Sequence, residues 1–206
     1  GGFWGDLSEM SQEERERVGE VVRLFKQVAP TVVSTRPTII GTVGSTPEIY
    51  NFIDLEKAEG SIIAFSGSAH REDYITQLIK KENFFCVLRN AFQLQADGSI
   101  RLPLLFPQPD ATCEAFLISS AGFPGQIKSS SCWLRQAKIT GDGTISFING
   151  APGEQEIFWP RELGKPRIQS DSETQVKVSI DRIKAGYRVH VEETEANLEI
   201  TITSGK

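Results

Sequence analysis

One change of period governs what this chain can fold into. Over residues 12–28, apolar residues recur at helical spacing: Val18, Val21, Val22, Phe25 and Val28 form one stripe. Ser11 and Glu14 make an S-x-x-E capping box ahead of it, and Glu13, Glu14 and Glu16 complement the positive end of the helix dipole. Pro30 is the expected stop signal. Beyond it the period falls to two, or to short apolar runs bounded by Gly, Pro, Asn and Asp. The strand candidates are 38–43, 48–54, 60–67, 84–90, 113–120 and 156–160. Residues 91–106 read as a hairpin turning at Asp97-Gly98, with Phe92 and Leu94 inward and Pro103 marking an edge strand. Residues 136–150 read as a second, turning at Asp142-Gly143. The tail holds three alternating runs: Val176/Val178/Ile180, Tyr187/Val189/Val191 and Leu198/Ile200/Ile202. Residues 70–91 are ambiguous, though Tyr74, Ile75 and Thr76 favour a strand. About a dozen short strands after one helix imply a mainly β fold, an antiparallel β-sandwich or barrel with one N-terminal α-helix.

The totals remove several function classes. A chain of 206 residues can bury a sizeable core, as one large β domain or two small ones. The net charge is −5 and no Lys/Arg run exceeds a pair, so the concentrated positive charge that nucleic-acid binding needs is missing. No apolar run is long enough to span a membrane as a helix. The first residues, Gly-Gly-Phe-Trp, carry no basic region of a signal peptide, although a mature chain would have lost one. Cys86, Cys113 and Cys132 are an odd set whose spacing fits no zinc or redox motif. They read as buried, inert thiols, with a Cys113–Cys132 disulfide as the alternative. Two histidines, His70 and His190, lie far apart in sequence, and no Gly-rich phosphate loop precedes the helix. No metal or cofactor is expected.

The opening, Gly5-Asp6-Leu7, Ser8-Glu9-Met10, Ser11 and then a Glu-rich helix, resembles the last strand–helix unit of the melibiase-like glycoside hydrolases, the clan D α-galactosidase group. Residues 47–67, "PEIYNFIDLEKAEGSIIAFSG", are similar to the early strands of the β domain that follows the barrel in that group. The resemblance covers residues 1–67, and beyond them only the β character. It implies a division into residues 1–36, the terminal strand and helix of a (β/α)8 barrel, and residues 37–206, an antiparallel β-sandwich with two sub-sheets. A whole barrel needs roughly 200 residues or more and eight helices. The catalytic aspartates of the group lie upstream of its final unit, and no residue here aligns with them. The resemblance therefore implies a non-catalytic C-terminal fragment of a glycosidase, whose partner is the missing barrel of the same polypeptide.

Three residues stand as candidates for sugar contact: Asp6 at the end of the strand-like start, and Trp133 and Trp159 as stacking platforms, with Tyr187 beside them. The plainer reading makes Asp6 a tie across the strand–helix turn and the aromatic residues, with Trp4, core. Glu192, Glu193 and Glu195 read as solvated charges near a turn, and His190, alternating with Val189 and Val191, as a surface residue. The competing function is a stand-alone carbohydrate-binding module; a third is a self-contained β-barrel enzyme. A helix stripe made to face a barrel must otherwise lie on the β domain or pair two copies as a homodimer.

Overall fold

The computed structural model describes residues 8–36, 38–40, 48–54, 56–57, 59–65, 72–77, 85–104, 112–119, 125–140 and 143–205. Asp6, Trp4, His70 and the Asp142 turn residue lie outside them. The order is α1 (Gln12–Ser34), then β1 (Thr38–Ile40), β2 (Glu48–Asn51), β3 (Gly60–Phe65), β4 (Glu72–Gln77), β5 (Phe85–Leu88), β6 (Phe92–Leu94), β7 (Ser99–Leu104) and β8 (Thr112–Ser119). There follow β9 (Gln126–Ser130), β10 (Leu134–Thr140), β11 (Thr144–Asn149), β12 (Gly153–Pro160), β13 (Pro166–Ser170), β14 (Val176–Ile183), β15 (Gly186–Glu193) and β16 (Glu199–Ser204). The described residues are mainly β, with one N-terminal α-helix and three antiparallel sheets.

The capping box forms as its residues dictate: Ser11 Oγ accepts from the Glu14 amide at 3.2 Å, and Glu14 Oε2 accepts from the Ser11 amide at 2.7 Å. The helix does not stop at Pro30 but continues to Ser34. A proline removes one backbone donor, the partner of the carbonyl four residues earlier. That residue, Lys26, is exposed, so water can serve its carbonyl. The buried side is also displaced from the predicted stripe. Leu24, Val28 and Thr31 are buried against β3 and β8, while Phe25 is 43% exposed. Thr31 Oγ1 fixes the contact by donating to Glu59 Oε1 at 2.6 Å.

The five-stranded sheet runs β1-β2-β3-β8-β5, the four-stranded sheet β10-β11-β16-β13, and the seven-stranded sheet β14-β15-β12-β9-β6-β7-β4. Their inner residues, with Leu24 and Val28 of α1, join one core cluster that includes Val87, Leu117, Phe147, Trp159, Val189 and Ile202. The hairpin of β6 and β7 turns where expected, through three residues with Gly98 at φ 86°. Strand β7 is not an edge, however, because β4 pairs along its far side. β6 pairs with it no further than Arg101, so Pro103 sits where β7 has no β6 partner. Val178 shares the inward register of Val191 but is 40% exposed, since β14 is the sheet's edge. Gly60, at φ 141°, brings the backbone so close to β2's exit that a Cβ would stand 2.3 Å from the Phe52 carbonyl oxygen.

Candidate functional site at the helix–sheet junction

Trp159 is fully buried, and its Nε1–H donates to the Gly164 carbonyl at 3.2 Å. It offers no ring face to a sugar, which corrects the expectation of a platform there: its register on β12 places it inward with Ile157. Tyr187, opposite it on β15, is half-buried against the same core. Trp133 is half-buried and its ring is occupied. Gly150 lies against it so closely that a Cβ would fall 2.2 Å from the indole, and the Arg89 guanidinium stands 4.6 Å from the ring centroid. A sugar could stack on Trp133 only by displacing one of them.

Trp133 does line a groove of about 760 Å³ between the polar face of α1 and the ends of the sheets. Arg89, directly after β5, adopts a left-handed φ of 66°, a conformation uncommon outside glycine. Its side chain is 9% exposed and approaches Glu20 Oε2 at 3.6 Å. Arg135 on β10 donates from Nε to Glu20 Oε1 at 2.9 Å, also contacts it through Nη2, and donates from Nη1 to Asn197 Oδ1. One helical carboxylate thus joins both guanidinium groups. Burial lowers the Arg89 pKa; Glu114 and Glu20 oppose that, while Arg17 and Arg135 add to it. Arg89 Nε is buried without a hydrogen-bond partner among the described residues. The junction is a latch holding α1 to the β domain. Cys113 and Cys132 line the same groove as buried thiols that form no disulfide; Cys86 is buried elsewhere, and burial pushes its pKa up to about 12.

Next to the junction the core is polar. Asn149 pins the turn after β15: Nδ2 donates to the carbonyls of Ala151 at 2.8 Å and Glu195 at 2.6 Å, and Oδ1 accepts from the Leu198 amide at 2.8 Å. Gln155 Nε2 lies 3.3 Å from both Ser130 Oγ and Cys132 Sγ. Glu193 is 2% exposed, and neither carboxylate oxygen has a hydrogen-bond partner among the described residues. This corrects its reading as a solvated charge. β15 runs on to Glu193, so alternation turns that side chain inward with Val189 and Val191 while Glu192 faces out. Burial raises the Glu193 pKa to about 7; the Gln155 amide opposes this, Asp171 adds to it, and Asn149 opposes it. Gln155 Oε1 also lacks a partner, and a neutral carboxyl supplies the kind of donor it lacks. His190 points outward as expected, its side chain 43% exposed.

Among the described residues no group of His, Cys, Asp and Glu is placed to hold a metal ion, and no helix is long and apolar enough to cross a membrane. No protein family, curated protein or solved structure matches the chain.

Proposed function

We propose that this chain is the non-catalytic C-terminal β domain of an α-galactosidase-like glycoside hydrolase, with α1 the last helix of its (β/α)8 barrel, and that it braces that barrel. Two supports stand together: the order of residues at the opening, and the breadth of the apolar arc on α1, whose edge the β domain does not cover. At 100° per residue, Leu24, Val28 and Thr31 form one buried stripe. Val18, Val22, Phe25, Ala29 and Val33 widen it, centred roughly 130° away and joined to it through Val21 and Val32, which pack partly on the core. Phe25 is 43% exposed and Val33 82%. The latch through Glu20 fixes the buried side on the β domain and leaves Phe25 and Val33 outward. A helix whose apolar arc is wider than the β domain covers suits a place beside a second layer, and this observation carries the reading. Each such side chain is worth roughly 1.5–3 kcal/mol when buried.

The test compares the isolated chain with the product of the whole reading frame, assayed on nitrophenyl α-galactoside. The whole product should turn over substrate and the isolated chain should not. Val22→Asp with Phe25→Asp should lower the melting temperature of the whole product and leave that of the isolated chain within a degree or two. Turnover by the isolated chain, abolished on replacing one of its Asp or Glu residues, would overturn the reading. So would a dimer of the isolated chain that the double substitution dissolves, since a second copy would then be the occupant of the stripe.

A further inference from the structure

The outer face of the seven-stranded sheet carries a second feature, beyond Ala91 and Ser131 from the junction groove. Strand register sets five polar residues side by side: Arg101 on β7, Gln93 on β6, Ser129 on β9, Glu156 on β12 and His190 on β15. Four inter-strand steps make this row about 19 Å long. A groove of about 540 Å³ runs along it. The β9–β12 register shifts between Glu156 and Ile157, so that Lys128 is extra at the middle of the row. Bulges of this kind re-aim side chains and bend a strand. Beside the row, a second groove of about 270 Å³ shares Glu156 and is lined by Phe158, Arg188, Gln95 and Lys128. Phe158 is half-buried on this outer face, with Lys128 Nζ 5.9 Å from its ring centroid. Glu156 and Arg188 pair at 3.7 Å, and His190 and Glu154 at 3.8 Å.

We propose that these joined grooves are a binding site for an oligosaccharide chain. Sugar hydroxyls both donate and accept, and the two grooves offer acceptors (Glu156), donors (Arg101, Arg188) and groups that do both (Gln93, Ser129, His190). Phe158 provides the apolar surface on which the C–H face of a pyranose packs. Cations and carboxylates alternate here, which does not suit a polyanion. The site lies on the face of the sheet, where strand pairing is already satisfied, so a peptide could not add to it as a strand. A half-buried aromatic ring beside convergent polar groups has the elements of a small-ligand site.

The inference does not rest on the barrel reading, because α1 packs on β3 and β8 of a different sheet. The chain is to be screened on an array of plant and microbial oligosaccharides, and the strongest binder titrated by calorimetry. Glu156→Gln, Gln93→Ala and Phe158→Ala should each weaken that binding about tenfold or more, with thermal unfolding confirming that each variant is folded. Lys177→Ala, on exposed edge strand β14, should leave it unchanged. Retention of no oligosaccharide at millimolar concentration overturns the inference, as does binding that these three variants leave intact. Binding lost instead on Trp133→Ala would place the sugar at the junction and overturn it too.

Discussion

Glu193→Gln tests the buried polar end of the core. The folded-state pKa is raised from the ordinary 4.5 to about 7. Below pH 4.5 the carboxyl is neutral in both folded and unfolded chains and contributes no pH dependence. Between about 4.5 and 7 the folded chain holds a proton that the unfolded chain has released, so stability falls as pH rises. Above 7 both states are ionised and the loss is complete. At about 1.4 kcal/mol per pKa unit, the window from 4.5 to about 7 gives a loss of about 3–4 kcal/mol at most. Burial is what makes it large: Glu193 is 2% exposed, and the Gln155 and Asn149 amides offset the desolvation of its charge only in part. The glutamine variant stays neutral at every pH. Urea unfolding of both proteins at half-unit steps from pH 4.5 to 9 gives the difference directly, with all other titrating groups cancelling. The variant should match or fall slightly below the parent near pH 5, and exceed it by about 2–3 kcal/mol above pH 7.5. A difference independent of pH would refute the argument that this carboxyl enters the core at the cost of its charge.

Glu20→Ala removes the α1 carboxylate that pairs with Arg89 and Arg135, leaving Arg89 buried beside Trp133 with only Glu114's charge opposing its burial at longer range, and should cost about 2–4 kcal/mol in urea unfolding, with earlier proteolytic cutting within α1. Leu24→Ala and Val28→Ala should each cost about 1–4 kcal/mol, whereas Val33→Ala, on the outward stripe, should stay within about 0.5 kcal/mol. Gly60→Ala forces a Cβ toward the Phe52 carbonyl in a left-handed backbone and should lower the melting temperature by several degrees, about 2–4 kcal/mol. Cys86, fully buried with its thiol pushed up to about 12, should resist iodoacetamide at pH 8 until the chain is unfolded.

What the sequence made legible is what local chemistry decides. The capping box needs only Ser11 and Glu14, and the hairpin at Asp97-Gly98 needs only its turn residues. Alternation alone put His190 outside and Val189 and Val191 inside. The helix end was not legible, because the missing donor of Pro30 matters little where the Lys26 carbonyl is exposed. Strands β9 and β13, "QIKSS" and "PRIQS", carry one apolar residue each. They are strands because partners on both sides, or on one, complete their hydrogen bonds. Glu193 was misread for a related reason: "EETE" has the composition of a turn, and only the register with Gly153 and Val176 extends β15 through it. Trp133 and Trp159 look alike in sequence, and only strand register separates a core residue from one at a junction. The polar row across β7, β6, β9, β12 and β15 joins residues up to 97 positions apart. Its existence depends on pairing that no single strand encodes.

The placing of α1 beside a barrel turns on the apolar residues that the β domain leaves uncovered, and solvent access at Phe25 probes it most directly. Hydroxyl-radical footprinting of the isolated chain and of the whole reading-frame product compares that one side chain in two settings. The account predicts ready oxidation of Phe25 in the isolated chain, in line with its 43% exposure, and strong protection in the whole product, where a barrel would cover it. Equal oxidation of Phe25 in both would contradict it, for the outward stripe would then face only water.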